Sequence, residues 1–247
     1  MTKSDSILTV SNVTVTFSRW GQAVRAVRDL TLSLPRGQWV MLVGHNGSGK
    51  STLLRAISGA IRPETGDIVL TGRSLTDMSA SEIARSVFLV HQDPLMGTAS
   101  TLTLFENLLV ADHAAATANC SHKELLGKYV ELLRPLGLAD RLKQLAKTLS
   151  GGERQLLALL IGRLRPSPLM LLDEPLAALD PAKSELCIEQ IRSMHAAGKT
   201  VVQVTHEPHL ALRAGDRTVV LANGEIVYDA IGDDRSSEAL RRFWGGV

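Results

Sequence analysis

The segment WVMLVGHNGSGKSTLLRAI, residues 39–57, limits the possible folds more than any other part of this chain. Trp39 to Val43 is an unbroken apolar run of the kind found in strands covered on both faces, and Thr52 to Ile57 has a helical pattern. Between them Gly44 to Ser51 matches GxxxxGK[ST], in the strand–loop–helix setting that motif requires. Gly44, Gly47 and Gly49, with His45, Asn46 and Ser48 between them, let the backbone wrap an anion so that its N–H groups and the helix start at Thr52 cradle phosphate oxygens. Lys50 is placed to neutralise β- and γ-phosphate charge and Ser51 to ligate Mg²⁺. A glycine-rich turn with an incidental lysine would not need this setting.

The rest of the chain supplies a sheet for that loop. Ser86 to Val90, Leu169 to Leu172 and Thr200 to Val204 are also nearly continuous apolar runs, and with Trp39 to Val43 they are expected to form a buried parallel core sheet flanked by helices. Ile7 to Phe17 and Gly66 to Leu70 alternate apolar and polar residues, as half-exposed antiparallel strands do, and Asn223-Gly224 reads as a hairpin turn. Ligands of open parallel sheets bind beyond the carboxyl ends of the strands. Here those ends carry GHNGSGKST, HQDP, DEP and THEP, four polar clusters on one sheet edge. Asp173 is suited to hold Mg²⁺ through water, Glu174 to act as general base, and Gln92 to touch metal and water. His206, which would ordinarily be a structural histidine, falls on the same edge.

LSGGERQ, residues 149–155, has two glycines and no lysine. Ser150 can cap, and Gly151, Gly152 and Glu153 open an apolar helical pattern at Leu156, Leu157 and Leu160, so the segment reads as a second helix N-terminus that favours anions. With one phosphate loop in the chain, it is expected to complete the site of another molecule.

These motifs, in their order and spacing, resemble the nucleotide-binding subunits of ATP-binding cassette (ABC) transporters, over nearly the whole chain. GHNGSGKST corresponds to Walker A, Gln92 to the Q-loop, LSGGE to the signature, LMLLDE to Walker B, Ala177 to Asp180 to the D-loop and His206 to the switch histidine. The resemblance implies an α/β fold: a P-loop NTPase (RecA-like) core with a parallel sheet, an N-terminal antiparallel β-subdomain and an inserted α-helical subdomain. It divides one cassette of 1–247 into 1–92, core with β-subdomain; 93–155, helical subdomain with signature; and 156–247, the rest of the core. It further implies ATP and Mg²⁺ as ligands, and a head-to-tail pair of like subunits, identical or paralogous. In that pair Ser150, Gly151 and Gly152 would contact γ-phosphate across the interface, and Asp180 would couple the two sites. An aromatic residue before the Walker lysine packs on adenine in this family; Phe17 is the first choice and Trp20 the second. Transmembrane permease subunits would dock on the helical subdomain, with a solute-binding protein if the system imports. Ala177 departs from the usual serine of the D-loop, and Glu153 from the commoner signature glutamine. The apolar LLALLIGRL, the AALD sequence and QDPLMGTASTLTLFENL resemble a subgroup of small importer ATPases for amino-acid-like solutes.

Composition agrees with this reading and narrows the rivals. With 27 basic and 25 acidic residues and no dense basic run, nothing marks a nucleic-acid surface. Cys120 and Cys187 stand too far apart for a metal or disulfide pattern, and the start MTKSDSILTVSN has no apolar signal region. The chain is expected to be cytoplasmic, held at the inner membrane face by its permeases. The alternative is a soluble ABC ATPase of DNA repair or translation, which would need a coiled-coil insertion, a zinc module or a second cassette; none is seen. A P-loop kinase or GTPase would lack LSGGE. Lys123 to Leu136 has a helical pattern with Leu125, Leu126, Tyr129, Leu132 and Leu133 on one side, read as a core face. Pro208 between His206 and His209 argues against a helical metal pair.

Overall fold

The computed structural model describes residues 6–19, 22–117, 120–177 and 179–236, together with Glu238, Leu240 and Arg242. It divides into two compact units, residues 1–89, 168–174 and 198–247, and residues 90–167 and 175–197.

The first unit is built on two sheets. β1 (Ser6–Arg19) pairs antiparallel with β2 (Gln22–Pro35) and with β4 (Thr65–Leu70), and β5 (Arg73–Ser74) completes a four-stranded sheet in the order β2-β1-β4-β5. The alternation in β1 has most of its expected consequence: Leu8, Val10, Val13 and Val15 are buried and Thr9, Thr14 and Thr16 half-buried, but Phe17, which the pattern puts with the apolar residues, is exposed. β2 was not anticipated. Its apolar residues alternate cleanly only at Leu30, Leu32 and Leu34, and its first half carries exposed polar residues that conceal the pattern.

The second sheet has the order β10-β9-β3-β8-β7-β6, where β3 is Trp39–Val43, β6 Val87–Val90, β7 Leu169–Leu172, β8 Thr200–Thr205, β9 Arg217–Ala222 and β10 Glu225–Ile231. β3 pairs parallel with β8 and β9, and β7 with β8. β3, β7 and β8 are buried at every position, as their nearly continuous apolar runs lead one to expect, and β8 buries Gln203 with them. Two expectations need correction. The Ser86 to Val90 run is an edge strand with Phe88 and Leu89 only half-buried, and Ser86 belongs to the preceding helix α2 (Ala80–Ser86). The core sheet also has six strands rather than four, because the Asn223-Gly224 hairpin joins it, placing β9 beside β3. Both turn residues take positive φ, 52° and 84°, as this hairpin type requires.

α1 (Lys50–Ile57) packs its Leu53, Leu54, Ala56 and Ile57 into one core with inward residues of both sheets, among them Leu8, Leu70, Leu42, Val202 and Val219. Each fully buried leucine or valine there contributes about 1.5–3 kcal/mol, so the start of α1 is held by its own packing.

The second unit is mainly helical: α3 (Leu104–Ala111), α4 (His113–Thr117), α5 (His122–Leu133), α6 (Gly151–Leu164) and α7 (Pro181–Ala196). Capping boxes start α3 at Thr103/Glu106, α5 at Ser121/Glu124 and α6 at Ser150/Glu153. The expected core face of Lys123 to Leu136 holds in part: Tyr129, Leu133 and Leu136 are buried, but Leu126 is exposed and the α-helix stops at Leu133. Asp112, at the end of α3, is nearly inaccessible and accepts hydrogen bonds from Lys128 Nζ, Tyr129 Oη and the Ala115 N–H. Burial of Cys187 pushes its thiol up to about 12, while Cys120 is exposed, and both are free. Among the described residues no helix is long and apolar enough to cross a membrane.

Candidate functional site

In the first unit the loop of residues 44–49 leaves β3 and closes on Lys50, the first residue of α1. Its glycines are fixed by contact as much as by conformation. A Cβ on Gly44 would lie 2.3 Å from the carbonyl oxygen of Leu221, and one on Gly49, at φ +106°, would lie 2.2 Å from that of Ala26. Gly47, at φ +81°, has open space around it. The β9–β10 hairpin lies against the loop, where the Gly224 N–H donates to the Ser48 carbonyl at 3.0 Å and the Arg28 N–H donates to the Gly224 carbonyl at 2.9 Å. Leu221, Gly224 and Ala26 thus buttress the loop. Sequence reading missed this role, since Gly224 carried only a turn signal and β2 was unread.

His45, Asn46 and Gly47 are exposed at the loop tip, Ser48, Gly49 and Lys50 are buried, and Thr52 is half-buried. Lys50 Nζ donates to the carbonyls of Gly44 and His45 at 2.6 and 2.9 Å. Burial pushes this ammonium below the ordinary lysine value, against the opposing pull of Glu174 and then Asp173. A desolvated cation at a helix start is a strong place for an anion.

β7 ends beside this loop. Ser51 Oγ donates to Asp173 Oδ1 at 3.1 Å, bringing together the two oxygens that were expected to act on one cation. Glu174 follows with φ +48°, a left-handed conformation that costs a residue with a side chain of order 1–2 kcal/mol. Its mostly buried carboxylate lies 3.5 Å from Nδ1 of His206, which is half-exposed just beyond β8. The Glu207 N–H donates to Thr205 Oγ1 at 3.0 Å and fixes the turn that carries His206. Lys50, Ser51, Asp173, Glu174 and His206, separated by more than 150 residues of chain, form one cluster at the carboxyl edge of one sheet. Phe17, in the same unit, is exposed and opposite Val24 in the β1–β2 register; Trp20 falls outside the described residues.

The second unit holds the other expected residues. Gln92 is exposed in the segment after β6. Ser150 caps α6: its hydroxyl accepts from the Glu153 N–H at 3.3 Å, and its own N–H donates to Glu153 Oε2 at 2.8 Å. Burial opposes ionisation of Glu153, yet these hydrogen bonds and the charge of Arg141, 2.9 Å away, hold its carboxyl below the ordinary carboxylate value. Gly151 is exposed, with open space where a Cβ would stand. Asp180 caps α7 by accepting from the Lys183 N–H at 2.9 Å; Ala177 is described, whereas Ala178 lies outside the described residues.

The sequence model described as "ABC transporter" matches residues 27–177. A tyrosine transport ATP-binding protein of Clostridioides difficile is 34% identical over 241 residues, 95% of this chain and 95% of that protein. The methionine import ATP-binding protein MetN 1 of Salmonella paratyphi A is 29% identical over 225 residues, and the macrolide export ATP-binding/permease protein MacB of Agrobacterium fabrum 30% identical over 241. The chain spans 64% and 36% of the length of those two relatives. Among solved structures, an ATP-binding subunit of an ABC transporter superposes with TM-score 0.77 at 30% identity, covering 98% of this chain and 95% of that one. A dimeric ATP-binding cassette in a post-hydrolysis state with ADP and Pi gives 0.79 at 26% identity, covering 91% and 98%. This chain belongs to the ABC transporter family. It is an ATP-binding subunit of that family and an ATPase. Relatives named for import and for export match it at similar identity, so the direction of transport does not follow from them.

Proposed function

We propose that this subunit hydrolyses Mg²⁺-bound ATP as one half of a head-to-tail dimer, and that the dimer drives import of an amino-acid-like solute through separate permease subunits at the cytoplasmic membrane face. The observation that carries the hydrolytic part is the cluster of Lys50, Ser51–Asp173 and Glu174–His206 at one sheet edge. Lys50 binds the β- and γ-phosphates, Glu174 takes the proton from the attacking water, and His206 orients Glu174 and the γ-phosphate. Gln92 is assigned to the metal and its water, and Phe17 to the adenine.

Ser51 and Asp173 suit Mg²⁺. They offer adjacent oxygens, and among the described residues no group of three or more His, Cys, Asp or Glu could hold a metal ion through protein ligands alone. Mg²⁺ prefers that arrangement, keeping water and phosphate oxygens as its remaining ligands, and when bound it offsets the charge of the transferring phosphoryl group. The dimer reading is supported by the capped and accessible signature segment, in which Ser150, Gly151 and Gly152 open α6 without any lysine in the segment. Supplied to a neighbouring copy's γ-phosphate, with Asp180 beside it, that helix start completes a site. Import of an amino-acid-like solute is supported by the relatives named for tyrosine and methionine, and a solute-binding protein would then deliver it.

Glu174→Gln tests the reading. The variant is expected to bind ATP as the unsubstituted protein does, to lose about 10²–10⁴-fold in turnover, and to accumulate an ATP-dependent dimer measurable by light scattering. Hydrolysis at the unsubstituted rate removes the base assignment, and an ATP-loaded monomer removes the dimer.

A further inference from the structure

We propose that Lys183 is a positioning residue that ties the D-loop to the signature glycines, so that a subunit presents both to its partner's nucleotide as one rigid surface. The inference rests on the head-to-tail dimer described above. Lys183 lies in the first turn of α7, three residues after Asp180. Its ammonium donates to Asp180 Oδ2 at 2.7 Å, while its backbone N–H donates to Asp180 Oδ1, so one side chain and one backbone group of the same residue grip both carboxylate oxygens. The stem then runs over the start of α6. A Cβ placed on Gly152 would stand 2.5 Å from Lys183 Cδ and 3.4 Å from Cε, and 3.1 Å from Leu179 Cδ2. The lysine can occupy this position only because residue 152 lacks a side chain. Glu153, one residue further along α6, lies within electrostatic range of the same ammonium.

Two short segments are thereby joined through a single side chain, and both are assigned to the neighbouring copy's ATP. An exposed helical ion pair three residues apart contributes only a few tenths of a kcal/mol to fold stability. The value of the contact is therefore not in holding α7 together. It limits the freedom of Asp180 relative to Gly152, freedom that dimer closure would otherwise have to remove.

The test uses the full-length protein and three variants. Lys183→Met keeps the stem over Gly152 without the charge, Lys183→Ala removes both, and Lys183→Arg keeps a cation on a long stem. Three quantities are measured: ATP affinity of the monomer by titration with a fluorescent ATP analogue, the ATP concentration giving half-maximal hydrolysis, and the ATP-dependent dimer fraction in a Glu174→Gln background. Lys183→Met and Lys183→Ala are expected to raise the ATP requirement for dimer and hydrolysis about fivefold, with monomer affinity unchanged within twofold, and Lys183→Arg to restore at least half of the loss. An unchanged ATP requirement in Lys183→Ala overturns the proposal, as does an equal loss in monomer affinity, which would mark a general structural defect. If Glu174→Gln protein with Lys183 intact forms no ATP-dependent dimer, the dimer reading itself falls and this inference with it.

Discussion

Gly49→Ala separates contact from conformation in the phosphate loop. Gly49 sits at φ +106°, outside the range L-residues favour, so alanine there carries about 1–3 kcal/mol of backbone strain. The added methyl would also stand 2.2 Å from the Ala26 carbonyl oxygen, where ordinary contact begins near 3.4 Å, and 3.3 Å from Leu221 Cδ2. That oxygen belongs to β2 backbone and cannot swing aside as a side chain would, so loop and strand must separate by about 1 Å. Gly49 also accepts the Leu53 N–H at 2.9 Å, the hydrogen bond that begins α1, and the displacement therefore reaches Lys50. Together strain and displacement should lower stability by about 3 kcal/mol in urea denaturation. A shift of this size at the reacting phosphate should cost about 100-fold in kcat/KM for ATP. Gly47→Ala is the control. Its φ is +81° with nothing within 4 Å of the added methyl, so only a conformational cost of about 1–2 kcal/mol is expected. Equal loss of stability in the two variants would refute the contact argument.

The helical unit and a cap in the first unit give two more expectations. Lys128→Met strands the buried Asp112 carboxylate with only Tyr129 Oη and the Ala115 N–H as donors, so stability should fall by about 3 kcal/mol, well above the effect of an exposed lysine; a loss under about 0.5 kcal/mol in denaturant titration would contradict the buried pair. Glu82, hydrogen-bonded first by Arg73 and then by the backbone and hydroxyl of Ser79, has its carboxyl lowered from 4.5 to about 2. Because the folded value is the lower one, the stabilisation from this cap of α2 is complete above pH 4.5 and is lost as pH falls toward 2. An NMR titration of Glu82 should show Arg73→Ala moving its midpoint upward, and an unmoved midpoint would exclude Arg73 as the main cause.

Much of the site was legible along the chain because its parts are short, chemically specific and attached to strands whose apolar runs are unambiguous. Gly44 to Ser51, Asp173-Glu174 and His206 each follow such a run, and the structure gathers them at one edge. The elements that were misread lack that contrast. β2 hides its alternation among exposed polar residues, and β6 looked fully buried by composition although its edge position leaves it half-covered. Leu126 has the spacing of a core residue but nothing in its periodicity marks it as the exposed one.

The sequence by itself determined the class of chemistry: a phosphate loop between strand and helix, the acids and histidine at strand ends, and a helix start capped by Ser150. These are local, set by spacing, backbone freedom and hydrogen-bonding capacity within a few residues. Only the tertiary structure decided why Gly44 and Gly49 cannot carry a side chain, since the atoms that forbid one, the carbonyls of Leu221 and Ala26, come from distant strands. It also decided that Glu174 takes a left-handed backbone toward His206 and that Lys183 lies across Gly152. Close approach between remote segments has no signature along a chain, because it depends on which surfaces burial of the core brings together.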